Sequence, residues 1–554
     1  MSYIYEKYLQ ETVSEDGLLQ DVKFNVPENF NFAYDVVDEI AKKSPDRLAM
    51  LWCNDEGEER RFTFSDISRL SNKAANVFLN AGIRKGDMVM LVLKRHYEFW
   101  YAIMGLCKIG AVAIPGTDML MAKDLVYRFN AAKVCAIVCT ADGNIAKSVD
   151  EAEASSPTLR HKFAVHGLME GWEDFGALVD AASEELPRIE NNWRDMMLMY
   201  FTSGTTGQPK MVWHNFAYAI AHIITAHNWH NVDPEGIHFT MAETGWGKAV
   251  WGKLYGQWFC ESAVFTYDFS TRFKPADALA MIEKYKITTF CAPPTIYRFF
   301  IAEDLSKFDL SSLQHVTIAG EALNPEVFNA FKKATGLELR EGFGQTETTL
   351  TVFTQRYMTP RPGSMGRPSP AYHTDIVDEN GESVRPGQSG EIVIRLDEGF
   401  PIGMFGGYLY DDERFQYVCR NGMYHTGDVA WRDEDNYYWY VGRTDDLIKS
   451  SGYRIGPFEV ESVLMEHPAV LECAVTGAPD PIRGQVVKAT IVLNRGYEPG
   501  DALTKEIQNY VKVHTAPYKY PRIVEYVPEL PKTISGKIRR VELREKAEEE
   551  SKKN

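Results

Sequence analysis

The stretch TSGTTGQPK, residues 202–210, packs hydroxyls, glycines and a lysine into nine positions. Backbone N–H groups and the hydroxyls of Thr202, Ser203, Thr205 and Thr206 could cradle phosphate oxygens. Gly204, Gly207 and Lys210 belong to the same candidate site. A nucleotide-binding P-loop would have Lys followed directly by Ser or Thr and would run into a helix. Here Pro209 precedes Lys210, and Met211 stands where a magnesium-binding hydroxyl would be needed. Pro209 also biases Gln208 away from helical geometry. The residue pattern thus speaks for phosphate and against a kinase or other P-loop NTPase. The bland alternative is a polar surface turn.

A β-rich run, MMLMYFTSG, leads into this loop. Around it the chain alternates short apolar runs with helical stretches. Residues 87–93, 135–140, 287–294 and 315–320 read as buried strands. Residues 97–110 read as a helix closed by Gly110, and 275–286 as another helix. From about residue 370, turns such as ENGE and PGQSGE sit between alternating strands. After residue 444 a new α+β unit begins, with helices at 457–467 and 502–514 and strands near 470–477 and 486–493. The final EKAEEESKKN reads as a frayed, solvated tail. The expected fold is α/β. A large N-terminal domain of stacked α/β sheets with a β-rich subdomain spans 1–444. A small mobile C-terminal α+β domain spans 445–554.

The 554 residues exceed one ordinary core. A formal net charge of −17 argues against nucleic-acid or anionic-membrane partners, which need a basic field. The most apolar region is broken by Lys94, Arg95, His96 and Glu98, so no membrane span is expected. The eight cysteines are scattered, with no CxxC pair, and read as buried reduced thiols. The N-terminal MSYIYEKYLQETVSEDG lacks a signal-peptide pattern and is a poor transit peptide. A cytoplasmic location is expected.

Four further motifs follow the first in order: GFGQTE (342–347), YHTGD (424–428), GRTDDLIKSSGYRIGPFEVE (442–461) and PKTISGK (531–537). With TSGTTGQPK they resemble the adenylate-forming superfamily of acyl-CoA synthetases, luciferases and peptide-synthetase adenylation domains. The resemblance spans nearly the whole chain and looks most like the medium-chain acyl-CoA synthetases. It implies a two-step reaction: a carboxylate and MgATP give acyl-AMP and pyrophosphate, then the coenzyme A thiol takes the acyl group. ATP, Mg²⁺ and coenzyme A are the implied cofactors and co-substrates. A homodimer rests on family analogy alone.

Carried over residue by residue, Lys537 matches the adenylation lysine that bridges carboxylate and α-phosphate. Glu347, with Thr346 beside it, matches the acid that helps hold Mg²⁺, a cation that prefers oxygen ligands. Asp428 matches the carboxylate that accepts both ribose hydroxyls, and Arg443 a further ribose contact. Gly320, Glu321 and Ala322, with Glu341, Gly342, Phe343, Gly344, Gln345 and Thr346, match the segments lining adenine. Asp445 matches the hinge about which the small domain swings between half-reactions. That swing would bring Ser451, Gly452, Tyr453 and Arg454 to the pantetheine arm, with Arg483 a second candidate for CoA phosphate.

Acetate-activating members carry tryptophan where this chain has Gly344, so the missing bulk is expected to open the acyl pocket. Trp246 matches the substrate gate, and Gly247, Lys248 and Trp251 the acyl wall. Lys248 is unusual there, because an unpaired buried ammonium is costly. Helix arithmetic turns it about 200° from Trp246. The alignment, which we follow, places it in the wall. Three readings stay open: it faces solvent, it shortens the pocket, or it pairs with a polar group on the acid. The favoured substrates are short-to-medium or 2-methyl-branched acids. The alternatives are an aryl or dicarboxylic acid, a carrier-protein acceptor, or a non-catalytic AMP sensor. A sensor would be expected to have lost Lys537, Glu347 or Asp428.

Overall fold

A computed structural model describes residues 3–202, 208–270, 273–451, 453–532 and 538–553. Two sheets of mainly parallel strands form the larger part. In the first, strands Met196–Thr202, Val112–Pro115, Met88–Val92, Ala136–Thr140 and His161–Val165 lie side by side. The second runs from parallel strands, including Thr289–Ala292 and His315–Ile318, into an antiparallel half built after residue 339.

These strands read as unbroken apolar runs because both faces are covered. Met90, Leu91 and Val92 have no exposed surface. Helix Glu98–Ile109 is buried on every side, and Gly110 ends it with φ 70°, a left-handed cap that favours glycine. Its position and end agree with the sequence expectation.

The antiparallel half sets up the nucleotide motifs. Strands Met423–Arg432 and Tyr438–Arg443 form a hairpin in which Asp428 faces Arg443 directly. Beyond it, strands Ile448–Ser450, Tyr453–Ile455, Val470–Asp480, Gly484–Leu493 and Ile523–Tyr526 make a separate five-stranded sheet. Helices Pro457–Met465 and Asp501–His514 cover it with Val460, Leu464, Ile507 and Val511.

The tail departs from expectation. Arg540–Lys553 is a helix rather than a frayed end. Leu543 and Ala547 are buried, Arg540 pairs with Glu461, and Glu550 reaches Lys488 at 2.9 Å. Charge pairing and two buried side chains anchor a segment whose composition alone looks solvated. Among the described residues, no helix is long and apolar enough to cross a membrane.

Candidate active site

The described ends of the first phosphate motif lie in paired strands. Thr202 ends strand Met196–Thr202, and its antiparallel partner is Lys210, first residue of strand Lys210–Asn215. A strand rather than a helix follows Lys210, which excludes P-loop geometry. Ser203, Gly204, Thr205, Thr206 and Gly207 lie outside the described residues, as do Gly452 and Lys537. The Lys210 side chain lies 5.5 Å over the Tyr408 ring, and burial lowers its pKa.

Strand Leu339–Gly344 carries GFGQTE to the same region. Glu347 is buried, and one of its carboxylate oxygens accepts from the Tyr408 hydroxyl at 2.8 Å. A buried carboxylate with one oxygen engaged by a hydroxyl suits Mg²⁺, which keeps water and phosphate oxygens as its other ligands. Beside it, the Thr346 carbonyl accepts from His214 Nε2 at 2.7 Å.

Asp428 is gripped from several sides. Gln345 Nε2 donates to it at 2.5 Å, the Tyr440 hydroxyl at 3.2 Å and Arg443 at 3.3 Å. Gln345 is itself fixed by the Tyr424 hydroxyl at 2.7 Å. Gly427 has φ 72°, and an added Cβ there would lie 2.6 Å from the Arg443 guanidinium. Asp445 stands 3.6 Å from Arg443. The structure places Gln345, Asp428, Arg443 and Asp445 side by side, together with three tyrosines that the sequence reading did not single out. Tyr424 falls inside YHTGD. Tyr408 and Tyr440 carry no motif signal, because only strand pairing brings them to the acids.

Gly320 has φ 104°, and Glu341 is buried behind it. Burial pushes the Glu341 carboxyl up to about 8, and one of its oxygens has no hydrogen-bond partner among the described residues. Glu341, Gly342 and Phe343 lie in one strand, while Glu321 and Ala322 follow Gly320 in a turn.

Around the segment matched to the acyl wall, the structure removes the solvent-facing reading of Lys248 and fills the room expected beside Gly344. Helix Gly247–Lys253 begins after Trp246, which is extended at φ −109° and ψ 146°. Helix arithmetic from Trp246 therefore fails. Lys248 does not face solvent: its ammonium donates to the Ala319 carbonyl, and a Cβ on Gly320 would lie 2.9 Å from its Nζ. Nor is the room left by Gly344 empty. A Cβ there would lie 2.7 Å from Trp251 Cη2 and 2.3 Å from the Thr349 carbonyl oxygen. Trp251 fills the space that a tryptophan at 344 would have taken.

In the five-stranded sheet, the Ser451 N–H donates to the Arg483 carbonyl at 3.0 Å, and Arg483 reaches the Ser451 hydroxyl at 3.2 Å. Tyr453 is half-exposed and stacks on Tyr518 at 4.0 Å. Arg454 pairs with Glu379.

The family model described as "AMP-binding enzyme" matches residues 37–409, and that described as "AMP-binding enzyme C-terminal domain" matches 459–537. The chain belongs to the AMP-binding enzyme family. Mouse (Mus musculus) acyl-coenzyme A synthetase ACSM3, mitochondrial, is 41% identical over 99% of this chain and 96% of its own length. Mouse acyl-coenzyme A synthetase ACSM5, mitochondrial, is 44% identical over 94% of this chain and 91% of its own. The anthranilate CoA ligase AuaEII, solved in complex with anthranoyl-AMP, superposes with a TM-score of 0.86. It is 29% identical over 94% of this chain and 98% of that one. The mitochondrial names of these relatives overturn the cytoplasmic expectation. The eight cysteines are all free, which does not distinguish a cytoplasmic from a mitochondrial location.

Proposed function

We propose that this AMP-forming acid–CoA ligase activates short-to-medium or 2-methyl-branched carboxylic acids. ATP and coenzyme A are its co-substrates. The chemical difficulty is an anionic carboxylate approaching an anionic α-phosphate, so catalysis is positioning and charge cancellation. In our reading Asp428, steadied by Gln345, Tyr440 and Arg443, accepts the ribose hydroxyls. Glu347 would hold Mg²⁺, which supplies positive charge at the phosphates. Lys210 and the 202–207 loop bind phosphate oxygens, and Lys537 bridges carboxylate and α-phosphate. The division at Asp445 into residues 1–444 and 445–554 is supported by the separate five-stranded sheet that starts at Ile448. Rotation there would exchange Lys537 for the 451–454 segment, with Arg483 toward CoA phosphate.

The observation that carries the choice of acid is Trp251 seated against Gly344. An indole in that position, with Lys248 turned toward Ala319, makes the wall bulky and shallow. A small aryl acid is the second reading, favoured by the flat indole and by the likeness to an anthranilate ligase. Pyrophosphate release with and without coenzyme A, across acetate to decanoate plus 2-methylbutyrate, benzoate and succinate, tests both. A peak at branched or propionate-to-hexanoate-sized acids supports the first reading and a benzoate peak the second. Octanoate or longer as best substrate rejects both.

A further inference from the structure

Trp251 is not held by packing alone. Its indole N–H donates to the Tyr218 hydroxyl at 2.8 Å. Tyr218 lies in helix Tyr218–Ile224 and is 1% exposed. Its ring is fixed on two sides: His214 stacks on it at 3.8 Å and 25°, and His222 meets it edge-on at 4.6 Å and 88°.

His214 is fixed in turn. Its Nε2–H donates to the Thr346 carbonyl, so Nδ1 carries no proton, and Nδ1 has no hydrogen-bond partner. The circuit Thr346, His214, Tyr218, Trp251, Gly344 therefore starts and ends on one short segment, 344–346. One end carries the residue beside the metal-binding acid and the other the floor under the indole.

We propose that Tyr218 is a specificity-determining positioning residue, whose hydroxyl clamps the Trp251 indole over Gly344 and so sets the depth of the acyl site. This rests on the reading of Trp251 as acyl wall. Without the hydroxyl the indole N–H of the part-buried Trp251 loses its hydrogen-bond partner, which costs the indole its anchor in this position. The indole then leaves its seat on Gly344, and the vacated depth accepts a longer chain. Tyr218 reaches the 344–346 segment through His214 on one side and Trp251 on the other, and its hydroxyl bonds only the Trp251 side, so its effect is expected on the acid.

The test uses the full-length enzyme and four variants: Tyr218→Phe, Trp251→Phe, their double mutant, and Trp251→Ala. The readouts are kcat/KM for 2-methylbutyrate and octanoate, KM for ATP, and the thermal midpoint. Tyr218→Phe is expected to raise the octanoate-to-2-methylbutyrate ratio about tenfold, the discrimination a hydrophobic pocket gives per methylene. Its KM for ATP stays put. The double mutant should add nothing to the larger single effect, because both changes break one hydrogen bond. A purely structural role would lower turnover with both acids equally. If Tyr218→Phe fails to fold, Trp251→Phe removes the same hydrogen bond from the donor side and must raise the ratio. An unchanged ratio in the hydrogen-bond variants with a raised ratio in Trp251→Ala overturns the clamp but keeps the acyl wall. An unchanged ratio in Trp251→Ala overturns the acyl wall and the clamp with it.

Discussion

Gln345 and Asp428 are hydrogen-bonded at 2.5 Å although 83 positions separate them. One belongs to GFGQTE and the other to YHTGD, so two motifs meet in one carboxylate. Asp428→Asn keeps the shape but turns one acceptor oxygen into a donor. It should lower kcat/KM for ATP about 10- to 100-fold, as expected for a lost charge-assisted contact of roughly 1.5–3 kcal/mol. Gln345→Ala should lower it less and in the same parameter. Steady-state kinetics with ATP varied and acid saturating checks both, and an unchanged ATP dependence in Asp428→Asn would sink the ribose assignment.

Lys537 is assigned to adenylation alone. Lys537→Ala should cut acid-dependent ATP–pyrophosphate exchange by roughly 10²–10³, the scale of losing one charge stabiliser in a preorganised site. Transfer to coenzyme A from supplied acyl-AMP should survive within a few-fold. Equal loss in both half-reactions would remove the lysine from its assigned step.

Arg483 should affect the other half. Arg483→Ala is expected to raise KM for coenzyme A about 5- to 30-fold, since charge-assisted contacts are worth about 1–2 kcal/mol when partly solvated. Pyrophosphate exchange without coenzyme A should not move. Product assays with coenzyme A varied make the comparison.

Gly344 is expected to tolerate no side chain. The Cβ of Gly344→Ala would press on both Trp251 and the Thr349 carbonyl, the latter being backbone. Overpacking of this kind costs about 1–3 kcal/mol. Thermal unfolding of Gly344→Ala should show a lowered midpoint. A midpoint equal to wild type would mean that the wall relaxes freely.

Acid should weaken the fold steeply. Burial keeps His214, His238 and His315 near pKa 3 and holds His222 and His230 well below the usual range. Unfolded, these rings bind protons near pH 6.5. A depressed histidine pKa contributes stability above the unfolded value and loses it as pH falls toward the folded one. Two carboxyls oppose this. Burial raises Glu243 to about 7 and Glu341 to about 8, so each contributes stability below about pH 4.5 and loses it as pH rises through 7 to 8. Near pH 5.5 the five histidines outweigh the two acids, so stability falls with falling pH. Urea midpoints from pH 7 to 5 should fall, and a flat profile would contradict neutral burial of the histidines.

Much of the site was legible because its parts are local. TSGTTGQPK, GFGQTE and YHTGD each need a fixed spacing of residue types, so sequence alone marks them. Gly110 as a helix stop and the parallel strands as apolar runs were readable for the same reason: short-range backbone conformation and two-sided burial leave their pattern in adjacent positions.

What only the tertiary structure decided lies between distant segments. Tyr440 reaches Asp428 because a hairpin sets their strands side by side, and Tyr408 reaches Glu347 through a sheet edge 61 positions away. The tail helix is held by Glu461 and Lys488, which no local composition reveals. Gly344 was read as open space, yet Trp251 occupies it. A missing side chain removes volume locally, and close packing then lets whichever distant ring fits take the space. By itself the sequence determined the chemistry, through residues a few positions apart. The fold decided the shape of the acyl wall, because shape depends on which surfaces meet.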